Sequence, residues 1–93
     1  MTTEDAAPIE IERSLIGTLQ LDGLEAPYVN LNQQPLIRSR LRVGDTEYAY
    51  ERSIPVRGHS AVLPETITQL QSEGRQVLIA ERNDRYLVYL ASS

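Results

Sequence analysis

A chain of 93 residues with a formal net charge of −4 suits one small soluble domain and disfavours a dedicated nucleic-acid binder. It contains no cysteine, which excludes disulfides, thiolate metal sites and a cysteine nucleophile. All 9 basic residues are arginine, so a lysine Schiff base and a P-loop lysine are excluded as well.

We expect a single domain at residues 9–93 behind a flexible acidic tail at residues 1–8. The polar start lacks the basic and apolar segments of a signal peptide, and no apolar run reaches the ~20 residues of a membrane helix. A small domain without disulfides fits the cytoplasm, and we expect no contact with a membrane.

The first predicted hairpin lies between residues 9 and 31. Residues 9–21 alternate between apolar and polar side chains, which is the period of a half-buried strand. Asp22-Gly23 is a strong signal for a two-residue turn. A second strand then runs from Leu24 to Leu31. Pro27 cannot donate a hydrogen bond, so it places this strand at a sheet edge or ends it early.

The second predicted hairpin joins Leu36–Val43 to Thr46–Arg52 around Gly44-Asp45. Glycine in the first position of the turn suits type II′. Because a two-residue loop fixes the register, the arginines and glutamates of this hairpin fall on one face. The opposite-charge pairs are Arg42 with Glu47 and Arg38 with Glu51.

We interpret that charged face as a ladder that sets the register of the two strands. A stripe that binds phosphate and a surface that binds a charged partner are the alternatives. Arg40 falls opposite Ala49 and diagonal to both glutamates. We therefore assign Arg40 as a candidate for contact with an acidic partner.

An irregular stretch from Ser53 to Leu63 precedes the predicted helix. Arg57, Gly58, His59 and Ser60 lie close to the helix N-terminus, where free N–H groups and the helix dipole favour an anion. They are our candidates for binding phosphate or carboxylate. The alternative is a surface loop that makes local hydrogen bonds. His59 is the only histidine, so the sequence gives no basis for a metal site.

One helix is predicted, with Pro64 in its first position and Gly74 just beyond its end. Leu63, Ile67 and Leu70 recur at helical spacing and form one apolar stripe. That stripe should pack on the sheet.

The third predicted hairpin joins Gln76–Glu81 to Tyr86–Leu90 across Asn83-Asp84. Val77 and Ile79 fall opposite Leu90 and Val88 on one face, and Leu78 and Ala80 fall opposite Tyr89 and Leu87 on the other. Both faces are apolar, so this hairpin should be central and covered twice. The helix can cover one face, whereas the N-terminal hairpin or a partner subunit must cover the other.

Tyrosine is common at interfaces because it buries area at low entropic cost and keeps a polar group. Tyr86, Leu87 and Tyr89 are therefore our candidates for contact with a second copy or another protein. The alternative is that they belong to the core of a monomer.

Residues 67–90, reading ITQLQSEGRQVLIAERNDRYLVYL, resemble the helix–glycine–strand–turn–strand unit of Phd-type antitoxins. The resemblance covers about a quarter of the chain and implies an antitoxin-like regulator. Two hairpins precede the helix here, which departs from the family pattern, and no functional residue is carried across.

The sequence thus predicts an α+β domain with three hairpins and one helix before the last of them. The hairpins would form an antiparallel sheet of about six strands, either open or curled into a partial barrel. No serine stands in a nucleophile elbow and no glycine-rich phosphate loop is present, so we expect no enzyme activity and no cofactor. We expect a protein-binding or accessory domain, with a small-anion or nucleic-acid module as the alternative.

Overall fold

The structure is a computed structural model of the chain, and it describes residues 8–21, 23–32, 39–57 and 62–91. The described strands are β1 (Ile9–Ile11), β2 (Gly17–Leu21), β3 (Leu24–Asn30), β4 (Arg40–Val43), β5 (Thr46–Pro55), β6 (Val77–Arg82) and β7 (Arg85–Ala91). The helix α1 (Val62–Ser72) follows β5, and a short 3₁₀ helix, Arg13–Leu15, separates β1 from β2. Of the predicted tail, only Pro8 falls within the described residues.

The strands form one mixed sheet in the order β1-β4-β5-β7-β6-β3-β2. The α+β class agrees with the prediction, whereas the antiparallel sheet of about six strands is wrong. The three predicted pairs of neighbouring strands are present as β2–β3, β4–β5 and β6–β7. However, β1 pairs with β4, and β3 with β6, in parallel. Strands that are distant in sequence make these parallel contacts, and no local turn signal marks them.

The single strand predicted for residues 9–21 is divided by the 3₁₀ helix. The apolar residues keep the odd positions on both sides of this break, although Arg13 takes an apolar position and Ile16 takes a polar one. The side chains before and after the break lie on opposite faces of the sheet: Ile9 and Ile11 on one, Leu19 and Leu21 on the other. The break therefore lets one alternating segment serve two separate hydrophobic clusters.

β3 lies inside the sheet between β6 and β2 and continues to Asn30, although Pro27 predicted an edge strand or an early end. β3 pairs with β6 only from Tyr28 onward. The proline lies before this parallel ladder begins, so its missing N–H interrupts none of the β3–β6 bonds.

The sheet is strongly curved, as the short link between its two edge strands requires. β1 and β2 lie at opposite ends of the strand order. In a flat sheet, six strand spacings would separate them by about 29 Å. The six residue steps from Ile11 to Gly17 reach at most ~21 Å when fully extended, and the 3₁₀ helix shortens them further.

The register of the second hairpin is as predicted. Arg42 lies opposite Glu47 and Arg40 lies opposite Ala49. Arg38 lies outside the described residues, so its predicted pairing with Glu51 remains a prediction. Gly44 has a φ of 60° and is the only residue of its turn at positive φ, which identifies type II′.

The third hairpin also has the predicted register, with Ile79 opposite Val88 and Leu78 opposite Tyr89. Its turn residues Asn83 and Asp84 have φ values of 55° and 64°, which identifies type I′. This turn matches the twist of the flanking strands, and it explains why two central strands meet without a longer loop.

The helix begins at Val62, two residues before the predicted start, and its predicted stripe is buried together with Thr66. Gly74 follows the helix at a φ of 79°. The N–H of Arg75 donates to the carbonyl of Leu70 at 3.0 Å, and the N–H of Gly74 donates to that of Gln71 at 3.0 Å. This pattern is a Schellman motif, which glycine favours because it adopts the left-handed conformation without strain.

No helix in the described part of the chain is long and apolar enough to cross a membrane.

Two hydrophobic clusters cover the two faces of the central strands. The helix-side cluster contains the helix stripe and, from the strands, Ala26, Ile54, Val77, Ile79, Val88 and Leu90. The opposite cluster contains Ile11, Val29, Leu31, Leu41, Leu78, Ala80 and Tyr89. The curvature of the sheet brings β1 and β4 into this second cluster, so the chain itself covers the face that the helix leaves open.

Candidate interaction surface

The charged face of β4 and β5 is neutralised within the chain. Arg40 Nη1 donates to the diagonal Glu47 Oε2 at 2.9 Å, while contact of Arg40 with an acidic partner stays a prediction. Arg42 pairs with Glu10 of β1, and this hydrogen bond is the first cause of a raised pKa for Arg42. The glutamate from β1 could not be predicted without the parallel β1–β4 contact. The face is therefore a charge ladder across three strands.

The predicted anion-binding loop lies at the end of β5. The N–H of Val56 donates to the carbonyl of Asp84 at 3.0 Å, and Arg57 follows as an exposed residue. Gly58, His59 and Ser60 lie outside the described residues. Anion binding by this loop therefore stays a prediction.

The predicted contact residues of the last hairpin lie on both faces of the sheet. Tyr86 is half-buried on the helix side, and Leu87 is half-buried on the other. Tyr89 is fully buried in the isolated chain, with 0% exposure, and its ring meets Tyr50 edge-on at a centroid distance of 5.9 Å. Burial is the first cause that raises the pKa of Tyr89 to about 12. This tyrosine supplies no surface for a partner.

Two tyrosines flank a half-buried carboxylate on the helix side of the sheet. The hydroxyl of Tyr28 donates to Glu81 Oε1 at 2.6 Å, and Tyr86 lies opposite Glu81 on β7. Burial, then the hydrogen bond to Glu81, raises the pKa of Tyr28 to about 12. The pKa of Tyr86 is raised by burial and by the charge of Glu81. The bond joins β3 to β6, so we assign it a structural role.

The outer edge of β2 is left open to a backbone partner by the other residues that the structure describes. β2 ends the sheet and pairs only with β3 among the described residues. A two-residue hairpin loop makes the flanking pair Leu21–Leu24 hydrogen-bonded, and bonded pairs then alternate along the strands. The N–H and C=O groups of Thr18 and Gln20 therefore point outward, away from β3.

This edge has few of the features that usually protect a sheet from another strand. Natural edges are commonly short, charged, bulged or interrupted by proline. β2 is a regular five-residue strand, GTLQL, without charge or proline. By contrast, the other edge strand, β1, has three residues and carries Glu10. β2 is thus the edge that could accept a strand.

A groove beside this edge adds side-chain contacts to the free backbone. It has a volume of about 420 Å³ and lies between the helix and the start of β3, lined by Leu24, Pro64, Glu65, Thr68 and Gln69. Leu19 and Leu21 of β2 are half-buried on the same face and pack against the helix-side cluster. Leu15, just before β2, is 57% exposed. The open edge therefore adjoins apolar surface.

Sequence reasoning missed this edge because it placed residues 9–21 in one long strand. Residues 14–21 carry no charge, but this is a weak signal because residues 26–37 form a longer uncharged run. Among the described residues, no group of three or more His, Cys, Asp or Glu side chains could hold a metal ion.

No protein-family model matches the chain, and no curated protein or solved structure is significantly similar to it. The helix–glycine–hairpin unit that resembles Phd-type antitoxins is present as α1, Gly74, β6 and β7. The likeness to that family rests on this local unit alone.

Proposed function

We propose that this chain is a small, non-enzymatic, cytoplasmic domain that binds protein by accepting a β-strand at the outer edge of β2. The open edge of β2 carries the proposal. The absence of cysteine fits the reducing conditions of the cytoplasm. The activity that we propose is binding, because the described polar clusters serve to hold strands together.

Strand addition uses backbone hydrogen bonds for affinity and neighbouring pockets for specificity. Thr18 and Gln20 offer the backbone groups, since both are exposed and their backbone polar groups point away from β3. Leu19, Leu21 and the groove at Leu24 offer the apolar contacts. An added strand would continue the sheet and cover this half-buried apolar surface.

A photo-crosslinking amino acid at Gln20 tests the proposal in cells that express the full chain. We expect covalent adducts from this position, because its side chain is exposed at the open edge. Glu73 is the control position, since it is also exposed but lies beyond the end of the helix.

Adducts that form at Gln20 and not at Glu73 would support a binding edge, and their masses would distinguish a second copy from another protein. Equal adducts at both positions would indicate random encounter. No adduct at Gln20 would refute the proposed binding edge.

A further inference from the structure

We propose that the strand received by β2 is β2 of a second copy, in antiparallel register about a two-fold axis at Leu19. This inference rests on the proposed function and names its partner. It predicts a continuous sheet of fourteen strands, seven from each copy.

The backbone of β2 is self-complementary in that register. When Leu19 lies opposite its own counterpart, Thr18 of each copy lies opposite Gln20 of the other. These are the two residues whose N–H and C=O groups point outward. The outward-pointing N–H and C=O groups of Thr18 and Gln20 in one copy therefore bond those of Gln20 and Thr18 in the other, which forms four backbone hydrogen bonds across the axis. A shift by one residue would set them against groups already bonded to β3.

The side chains agree with the same register. On the helix side, the two Leu19 side chains meet at the axis, and Leu21 of each copy falls beside Gly17 of the other. Gly17 is exposed, and a side-chain carbon there would meet nothing closer than the carbonyl of Tyr28 at 4.0 Å. The missing side chain thus leaves room for leucine. On the other side, the polar Thr18 and Gln20 face each other.

Charge favours this surface for contact between copies. The chain carries −4, so two copies repel each other at most approaches. Residues 14–21 carry no charge, and β2 lies within that run. At the other edge, the same two-fold pairing of β1 would bring Glu10 against its own counterpart. An acidic chain can therefore approach a copy of itself at β2 more easily than at β1.

Such a contact is closed, because a two-fold axis uses the β2 edge of both copies. The axis is perpendicular to the sheet, so both helices lie on the same face and the two grooves at Leu24 flank the junction. An edge of five residues buries less than the standard protein–protein interface of roughly 1,600 Å². We therefore expect a dissociation constant of roughly 1–100 μM, at the weak end of the affinity scale.

Two double variants test the register by charge. T18K/Q20K places lysine opposite lysine at both pairs across the axis, whereas T18E/Q20K places glutamate opposite lysine at both. Both variants share the lysine at position 20, which faces Glu25 within the same chain. Sedimentation velocity over a range of concentrations measures dimerisation. Circular dichroism verifies that both variants fold.

We expect the wild-type chain to dimerise at micromolar concentration, T18K/Q20K to dimerise at least tenfold more weakly, and T18E/Q20K to dimerise at least as well as the wild type. A parallel pairing would set like charges together in both variants, so it predicts that both lose the dimer. Equal dimerisation by all three proteins would place the contact elsewhere and overturn the inference.

A monomeric wild-type chain would also overturn the inference. Crosslinking at Gln20 then shows whether the β2 edge is still a binding surface for another protein. Adducts with a different protein would leave the β2 edge as a binding surface without self-association. The absence of any adduct would refute the binding edge as well.

Discussion

At the scale of single residues, the raised pKa of Tyr28, which is half-buried and hydrogen-bonded to Glu81, makes the fold less stable at strongly alkaline pH. The pKa of Tyr28 rises from 10.0 to about 12, first through burial and then through Glu81. Between these values the unfolded chain loses the tyrosine proton while the folded chain retains it. The stabilisation is therefore complete below pH 10 and is lost as pH rises through about 12. Tyr89 acts in the same direction.

Glu81→Gln should lower the pKa of Tyr28 while leaving it above 10.0, because burial, the first cause, remains. The pKa of Tyr86 should also fall, since the charge of Glu81 contributes to it. Tyr89 is the internal control, because its raised pKa comes from burial and from Tyr50. NMR titration of labelled tyrosine rings measures all three groups. An unchanged pKa for Tyr28 would show that the carboxylate has no effect on it.

At the scale of single elements, the turn of the third hairpin allows backbone strain to be separated from side-chain effects. Asp84 has a φ of 64°, a conformation that glycine adopts freely and alanine does not. Asp84→Gly should therefore raise the free energy of unfolding by about 0.5–1 kcal/mol, and Asp84→Ala should leave it ~1–2 kcal/mol below that of the glycine variant. Both variants remove the same carboxylate and keep the carbonyl that accepts from Val56.

Urea denaturation of the two Asp84 variants measures this difference. If the glycine variant is the less stable of the two, the carboxylate or a different turn conformation must govern the hairpin. Equal stability would show that the turn relaxes away from type I′ when the residue is exchanged.

The elements that could be predicted from the sequence are those with local signals. Gly44-Asp45 and Asn83-Asp84 each fix a two-residue loop, so the registers on either side follow by counting. Leu63, Ile67 and Leu70 mark the buried face of the helix. The break at Arg13–Leu15 leaves the alternation in phase, so its signal in the sequence is confined to Arg13 and Ile16, which depart from the pattern.

At the scale of the whole molecule, the parallel contacts could not be predicted, because no turn or pattern in the sequence near β1 indicates that it pairs with β4. The same holds for the candidate site. β2 is an edge strand because its neighbour β3 pairs with β6 on its other side and because β1 lies at the opposite end of the sheet. An edge is a property of the complete strand order. The sequence shows that β2 is uncharged, but it does not show that one side of β2 is unpaired.

We expect the local hairpin contacts and the long-range parallel contacts to form at different stages of folding. β6 and β7 are joined by a two-residue turn, whereas β1 reaches β4 across a long loop, with Ile11 opposite Val43. Closing a long loop costs entropy before the contact is formed, so local hairpins tend to form first. We expect the β6–β7 hairpin to be formed in the folding transition state and β1 to dock afterwards.

Ile11→Ala and Asp84→Ala test this order. Ile11 is 4% exposed, and its truncation should destabilise the fold by about 2–4 kcal/mol. If β1 docks late, that loss should appear mainly as faster unfolding, with refolding little changed. Asp84→Ala should instead act mainly by slowing refolding. Stopped-flow kinetics over a range of urea concentrations separates the two rates. Slow refolding of the Ile11→Ala variant, with unchanged unfolding, would show that the parallel β1–β4 contact nucleates the sheet.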